Sequence, residues 1–171
     1  MGLLRNRGED AAVGSRYQMR QHLLSIGDDY WIEDEAGRRA YRVDGKALRV
    51  RQTFVLEDAS GNELAKLQER KLSVRDKMEI EHDGDTVATV RKRLVGIRDR
   101  YLVDVEGGDD LTAKGNFIYH EYEIERDGDK VAEVSKRWFR VRDAYGIEVA
   151  PGQDDALILA VAVCIDRMGR G

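Results

Sequence analysis

A single cysteine, Cys164, and a single proline, Pro151, stand in a chain of 171 residues. One thiol closes no intramolecular disulfide, so nothing calls for an oxidising compartment. One proline leaves the backbone donors of almost every segment free to join a hydrogen-bonded ladder. A basic excess is also missing: 29 lysines and arginines face 33 acidic residues, a net charge of −4 that disfavours a generic nucleic-acid binder. The longest apolar run, residues 156–165, has ten residues, whereas a bilayer-spanning helix needs about 20. The opening segment MGLLRNRGEDAAVGSR has no continuous apolar stretch after its positive charges and reads as a flexible leader over 1–16, not a secretory signal. The expected location is cytoplasmic, or peripheral to a membrane.

Recognisable catalytic and metal chemistry is equally scarce. His22, His82 and His120 are far apart and show no ligand spacing, so the latter two are expected to decorate strands or hairpin ends. Cys164 sits inside the apolar run, where an inert buried thiol is the expectation. Ser25, Ser73 and Ser135 have no nucleophile elbow or histidine partner. Asp83-Gly84-Asp85 and Asp127-Gly128-Asp129 lack the twelve-residue loop and closing Glu of an EF-hand, and Gly45-Lys46 lacks the flanking residues of a P-loop. The expectation is a protein that is not an enzyme and has no cofactor.

What the chain does have is glycine, alternation and repetition. Its 17 glycines fall mostly in short polar clusters, among them the two Asp-Gly-Asp triplets. Asp-Gly between alternating apolar residues signals a tight hairpin, because the favoured turns need positive φ. Between the clusters the period is two: KMEIEH sets Met78 and Ile80 against Glu79 and Glu81, and EYEIER sets Tyr122 and Ile124 against glutamates. That alternation is the mark of half-buried antiparallel strand. The stretches 81–105 and 125–149 match at 13 of 25 positions; 61–81 carries the same Arg and Arg-Asp marks, and 38–58 is a fainter copy. Each copy supplies two strands and a turn, a unit that cannot bury its apolar face alone. About twelve strands are predicted, near 17–22, 30–34, 38–43, 48–57, 63–72, 77–82, 86–94, 100–105, 110–116, 119–126, 130–138 and 144–149.

After APGQ the period changes. Asp154 or Asp155 can cap a helix over 154–168, and the run 156–165 is apolar on every side, which demands enclosure by protein or lipid. A terminal buried strand is the competing reading, with Ala156, Ala160 and Ala162 favouring helix. A barrel of about eleven strands has room for a central helix. A closed antiparallel barrel of about twelve strands around a hydrophobic C-terminal helix follows, as a single domain over 17–171.

The order of elements resembles the LURP-one-related family. The stretches that carry the likeness are MRQHLLSIGDDYWIEDEAGRRAYRVDGKAL (19–48), FVLEDASGNELAKLQER (54–70), KGNFIYHEYEIERDGDKVAEVSKRW (114–138) and DAYGIEVAPGQDDALILAVAVCIDRM (143–168). The resemblance implies the fold shared with the C-terminal domain of tubby proteins and, by proposal, with phospholipid scramblases: twelve strands around a central helix. It implies little about activity. Tubby domains bind phosphoinositide headgroups through basic surface residues, but no such residue can be matched here position by position.

One basic signal remains. QERKL, VRKRL and SKRWFRVR place cations at equivalent points of successive repeats, so Arg70, Lys71, Lys92, Arg93, Lys136, Arg137 and Arg140 are the candidate anion- or lipid-binding residues. If the equivalent strands share one side of the barrel, these residues form a belt for an anionic phospholipid headgroup or an acidic protein partner. The competing view makes them solvated strand charges that bridge to glutamates and block edge pairing. A small-ligand carrier and a scramblase-like membrane-associated protein are the functional alternatives; the carrier is weakened because the helix offers no polar residue over 156–165.

Overall fold

The structure, a computed structural model, describes residues 14–20, 29–47, 52–70, 77–95, 98–139 and 143–169. Twelve strands close into one antiparallel barrel with one helix after them. The strands are β1 (Ser15–Arg20), β2 (Asp29–Asp34), β3 (Arg39–Ala47), β4 (Gln52–Asp58), β5 (Glu63–Glu69) and β6 (Lys77–His82). Then come β7 (Asp85–Val95), β8 (Arg98–Val105), β9 (Leu111–Asn116), β10 (Glu121–Arg126), β11 (Asp129–Ser135) and β12 (Ala144–Val149), and the helix α1 (Asp155–Met168). Consecutive strands are neighbours, and β1 closes the ring by pairing with both β2 and β12. Strand limits among the described residues fall within three residues of the sequence reading, except that β3 runs on to Ala47; the predicted strand residues 21–22, 48–51 and 71–72 lie outside the described residues. β1 starts at Ser15, two residues inside the stretch read as a leader.

Turn chemistry follows the residues closely. Asp83-Gly84 and Asp127-Gly128 have φ of 50°, 85°, 51° and 82°, so both central positions of each turn lie in the left-handed region that Asp-Gly tolerates. The β2–β3 and β4–β5 turns use a different device. Asp34 Oδ1 accepts from the amides of Ala36 and Arg38, and Asp58 Oδ1 accepts from those of Ser60 and Asn62. Four hairpins shift register at matching places, Ile32/Glu33, Leu56/Glu57, Ile80/Glu81 and Ile124/Glu125. Each shift falls where an inward aliphatic side chain gives way to an outward glutamate. Bulges of this kind add the local twist that closure requires. The repetition in the sequence is therefore a repeated hairpin with a repeated bulge.

Inside lies α1. Residues 156–166 and Met168 are all buried, against an inner wall that includes Met19, Ile32, Val43, Leu56, Leu67, Ile80, Val90, Val103, Ile124 and Ile147. Fourteen helical residues span about 21 Å, close to the length of a six-residue strand, so the rod fills the cylinder. Asp154 caps it by accepting from the Leu157 amide at 3.3 Å. Wall residues hold both ends: the Tyr17 hydroxyl donates to Asp155, and Arg167 pairs with Glu69 at 2.8 Å. Burial pushes the Cys164 thiol well above its usual range, which makes it an inert packing group. The outer face of the wall is charged, the reverse of a barrel whose wall meets lipid. Among the described residues no helix is long and apolar enough to cross a membrane.

Replacing Leu159 by Asp should prevent folding, because an unpaired charge at this fully buried position costs several kcal/mol against a total stability of about 5–15 kcal/mol. Circular dichroism and thermal melting check this; a cooperatively melting variant would place the helix elsewhere.

Candidate functional site

Because every neighbouring pair is antiparallel, the C-terminal ends of all odd-numbered strands gather at one rim, together with the C-terminal end of α1. Five candidate cations from the sequence reading are at that rim, whereas Lys71 and Arg140 lie outside the described residues. They do not form one belt. Arg70 follows β5, Lys92 and Arg93 are on β7, and Lys136 and Arg137 follow β11, so β7 and β11 are four strands apart in the ring. At ~4.8 Å per strand that is roughly 19 Å along the wall. Most of these charges are also engaged. Arg70 pairs with Glu79 at 2.7 Å, Lys92 with Asp99 at 3.2 Å and Arg137 with Glu133 at 2.7 Å. Arg137 and Arg16 each sit 5.0 Å from the Trp138 ring, one cation–π contact apiece.

A different cationic group is assembled by strand register. Arg93 on β7 stands directly opposite Arg100 on β8, and Arg100 stands opposite Lys114 on β9. All three are exposed, on the outward side of the alternation. Like charges directly opposite each other destabilise a sheet. The row continues as carboxylates: Lys114 faces Glu123, Glu123 faces Glu133, and Glu133 faces Glu148. Lys114 is offset by Glu125 at 2.7 Å, Glu133 by Lys130 at 2.9 Å, and Glu148 by Arg16 at 2.6 Å. Arg93, Arg98 and Arg100 make no ion pair with any described residue. An open cleft of about 920 Å³ crosses this row, with Arg98, Arg100 and Lys114 on the cationic side and Glu121, Glu123 and Glu133 on the acidic one.

Above the cleft the β7–β8 ribbon and the β9–β10 turn carry exposed apolar side chains. β7 and β8 stay paired as far as Val95 and Arg98, whereas the described pairing of β6 stops at Arg91 and that of β9 at Arg100. The ribbon therefore extends past its described neighbours and carries Leu94, 72% exposed. The β9–β10 turn carries Ile118, 82% exposed, and Tyr119, 64% exposed. This turn is tightly made. Asn116 Oδ1 accepts from the Tyr119 amide at 3.3 Å, and Gly115 has φ +141° with the backbone of Glu121 and Tyr122 2.6 Å from where a Cβ would stand. Phe117 turns inward between Tyr101 and Tyr122, with ring centroids 4.7 and 4.8 Å away.

Beneath the turn lies a buried polar cluster. His120, with φ +52°, stacks on Tyr145 at 4.2 Å, and its Nδ1 is 3.3 Å from Asp166 Oδ1. The Tyr145 hydroxyl donates to Asp166 at 2.6 Å. Burial pushes the Tyr122 and Tyr145 phenols well up, with Asp166 adding to both, and raises Tyr101 to about 12. These groups stay neutral and tie the end of the helix to the turn. His120 does end a hairpin, as its sequence position implied, but its ring is buried within the barrel end.

The family model described as LURP-one-related matches residues 15–166. The chain belongs to the LURP-one-related family. The Bacillus subtilis (strain 168) "Uncharacterized protein YxjI" is 25% identical over 85 residues, 50% of this chain and 52% of that protein, so the chain matches about half the length of this curated relative. A solved Arabidopsis thaliana protein superposes with a TM-score of 0.70 at 18% identity over 94% of both chains, a likeness of fold. Within this LURP-one-related barrel the cations that register sets beside Arg93, namely Arg100 and Lys114, were not among the candidates that the repeat supplied. Neither were Leu94, Ile118 and Tyr119. The available signal was NFIYH, an apolar turn in a chain whose glycine clusters are mostly polar.

Tyr122 and Tyr145 should respond oppositely to loss of the hydroxyl. The Tyr122 hydroxyl is buried without a hydrogen-bond partner among the described residues, so Tyr122→Phe should be neutral or stabilise by up to about 1 kcal/mol. Tyr145→Phe strips a donor from buried Asp166 and should cost about 1–3 kcal/mol. Urea unfolding of the two variants checks both.

Proposed function

We propose that this barrel is a non-enzymatic binding module that attaches peripherally to anionic phospholipid headgroups through Arg93, Arg98 and Arg100. The observation that carries the reading is the cross-strand row. Arg93 and Arg100 are held side by side on a rigid ladder, exposed and without a described carboxylate, in a chain whose net charge is −4. An external phosphate relieves that repulsion, and a guanidinium fork suits it well. Helix 155–168 supports a binding role over a carrier one, since its apolar residues pack against the wall and leave the polar chemistry outside.

Vesicles of phosphatidylcholine, with and without phosphatidylserine, test the reading by co-sedimentation. The wild type should bind only the anionic vesicles, and less as salt rises. At about 1 kcal/mol per cation, Arg93→Gln with Arg100→Gln should weaken binding by about 30-fold. A wild type that ignores anionic vesicles would overturn the lipid assignment and leave an acidic protein as the partner class.

A further inference from the structure

Leu94, Ile118 and Tyr119 are the exposed large hydrophobic side chains among the described residues, and all three are at one rim. Single exposed apolar residues need no explanation; three on neighbouring elements of one rim do. Two strand spacings, about 10 Å, separate β7, which carries Leu94, from β9, which leads into the turn of Ile118 and Tyr119, and Arg98 and Ile118 line the same cleft. Two cations are set just behind Leu94: Arg93 precedes it by one residue, a rise of ~3.3 Å along the ribbon, and Arg100 stands opposite Arg93 on the return strand. Arg98 stands opposite Val95, one residue nearer the end of the ribbon. Three of the acidic groups lining the cleft are held elsewhere, Asp99 by Lys92, Glu133 by Arg137, and Glu121 by the Ser135 hydroxyl and the Lys136 amide; Glu123, on the far side of Lys114 from Arg100, makes no ion pair with a described residue.

We propose that the described end of the β7–β8 ribbon and the β9–β10 turn insert into the interfacial region of an anionic bilayer. Leu94 and Ile118 enter the acyl boundary, Tyr119 takes its preferred place at the interface, and Arg93, Arg98 and Arg100 reach the phosphates. This rests on the headgroup reading above and adds penetration and an orientation to it: the barrel axis stands steeply on the membrane, with the helix C-terminus facing it. Interfacial segments bury their apolar face by about 5–10 Å, a depth that leaves Arg93 and Arg100, one residue back from Leu94, at headgroup level, and the long stem of Arg98 lets its charged head reach back to the same level. Charge complementarity selects this occupant. A second copy meeting the same rim through a two-fold axis would set three unpaired arginines against their own kind.

Wild type, Leu94→Ser/Ile118→Ser/Tyr119→Ser and Ile118→Trp are compared on phosphatidylcholine–phosphatidylserine vesicles. The substituted positions are exposed, so the variants should melt like the wild type. The triple variant should bind at least about tenfold more weakly and should detach at salt concentrations where the wild type stays bound. Ile118→Trp fluorescence should be quenched by lipids with brominated acyl chains beyond the signal from Trp31 and Trp138. A triple variant that binds like the wild type, with no added quenching, overturns insertion while the headgroup reading stands. If the wild type fails to bind at all, both fall. A self-associating wild type whose triple variant is monomeric overturns the proposal by assigning the turns to a second copy.

Discussion

An apolar helix with no polar face must be covered on every side, and water forbids any arrangement in which part of its circumference stays exposed. That constraint organises the rest of the molecule. Ala156 through Ile165 mix small and branched side chains, which lets a wall of twelve strands close around them without leaving the cylinder hollow. Closure in turn removes the sheet edges that would otherwise invite pairing with another chain. The helix needs the barrel for burial, and the barrel needs the helix because a twelve-stranded ring is too wide for its own side chains to fill.

With the interior committed to packing, polar chemistry is confined to the outer face and the two rims. The rims differ. At one end Tyr17 meets Asp155 near the helix start; at the other Tyr145, His120 and Asp166 anchor a turn that carries Ile118 and Tyr119 into solvent. A buried, neutral phenol–carboxylate contact is a stiff support, so the projecting turn is presented on a firm base. Rigid presentation lowers the entropy lost when a surface binds, and the long β7–β8 ribbon beside it extends the same edge.

Much of the architecture was legible in the residues because each relevant signal is local. Asp83-Gly84 and Asp127-Gly128 declare their turns through the φ values they tolerate, Met78 and Ile80 declare a strand face through period two, and Asp154 declares a helix start. The candidate site was legible only in part. Repeat alignment treated Lys92-Arg93 and Lys136-Arg137 as equivalent, yet β7 continues through the first pair while β11 ends at Ser135 before the second. Equivalence in a repeat gives height on the barrel but not sector, and the sectors of β7 and β11 are far apart.

By itself the sequence determined the number of strands, their inward faces, the turn types and the enclosed helix, since all of these follow from short-range sterics and from the need to bury apolar surface. Only the tertiary structure decided which charges became neighbours. Arg93, Arg100 and Lys114 are seven and fourteen residues apart, and nothing local makes them a row. Register does, because a shift of one residue in either ladder would turn the facing side chains to the opposite side of the wall.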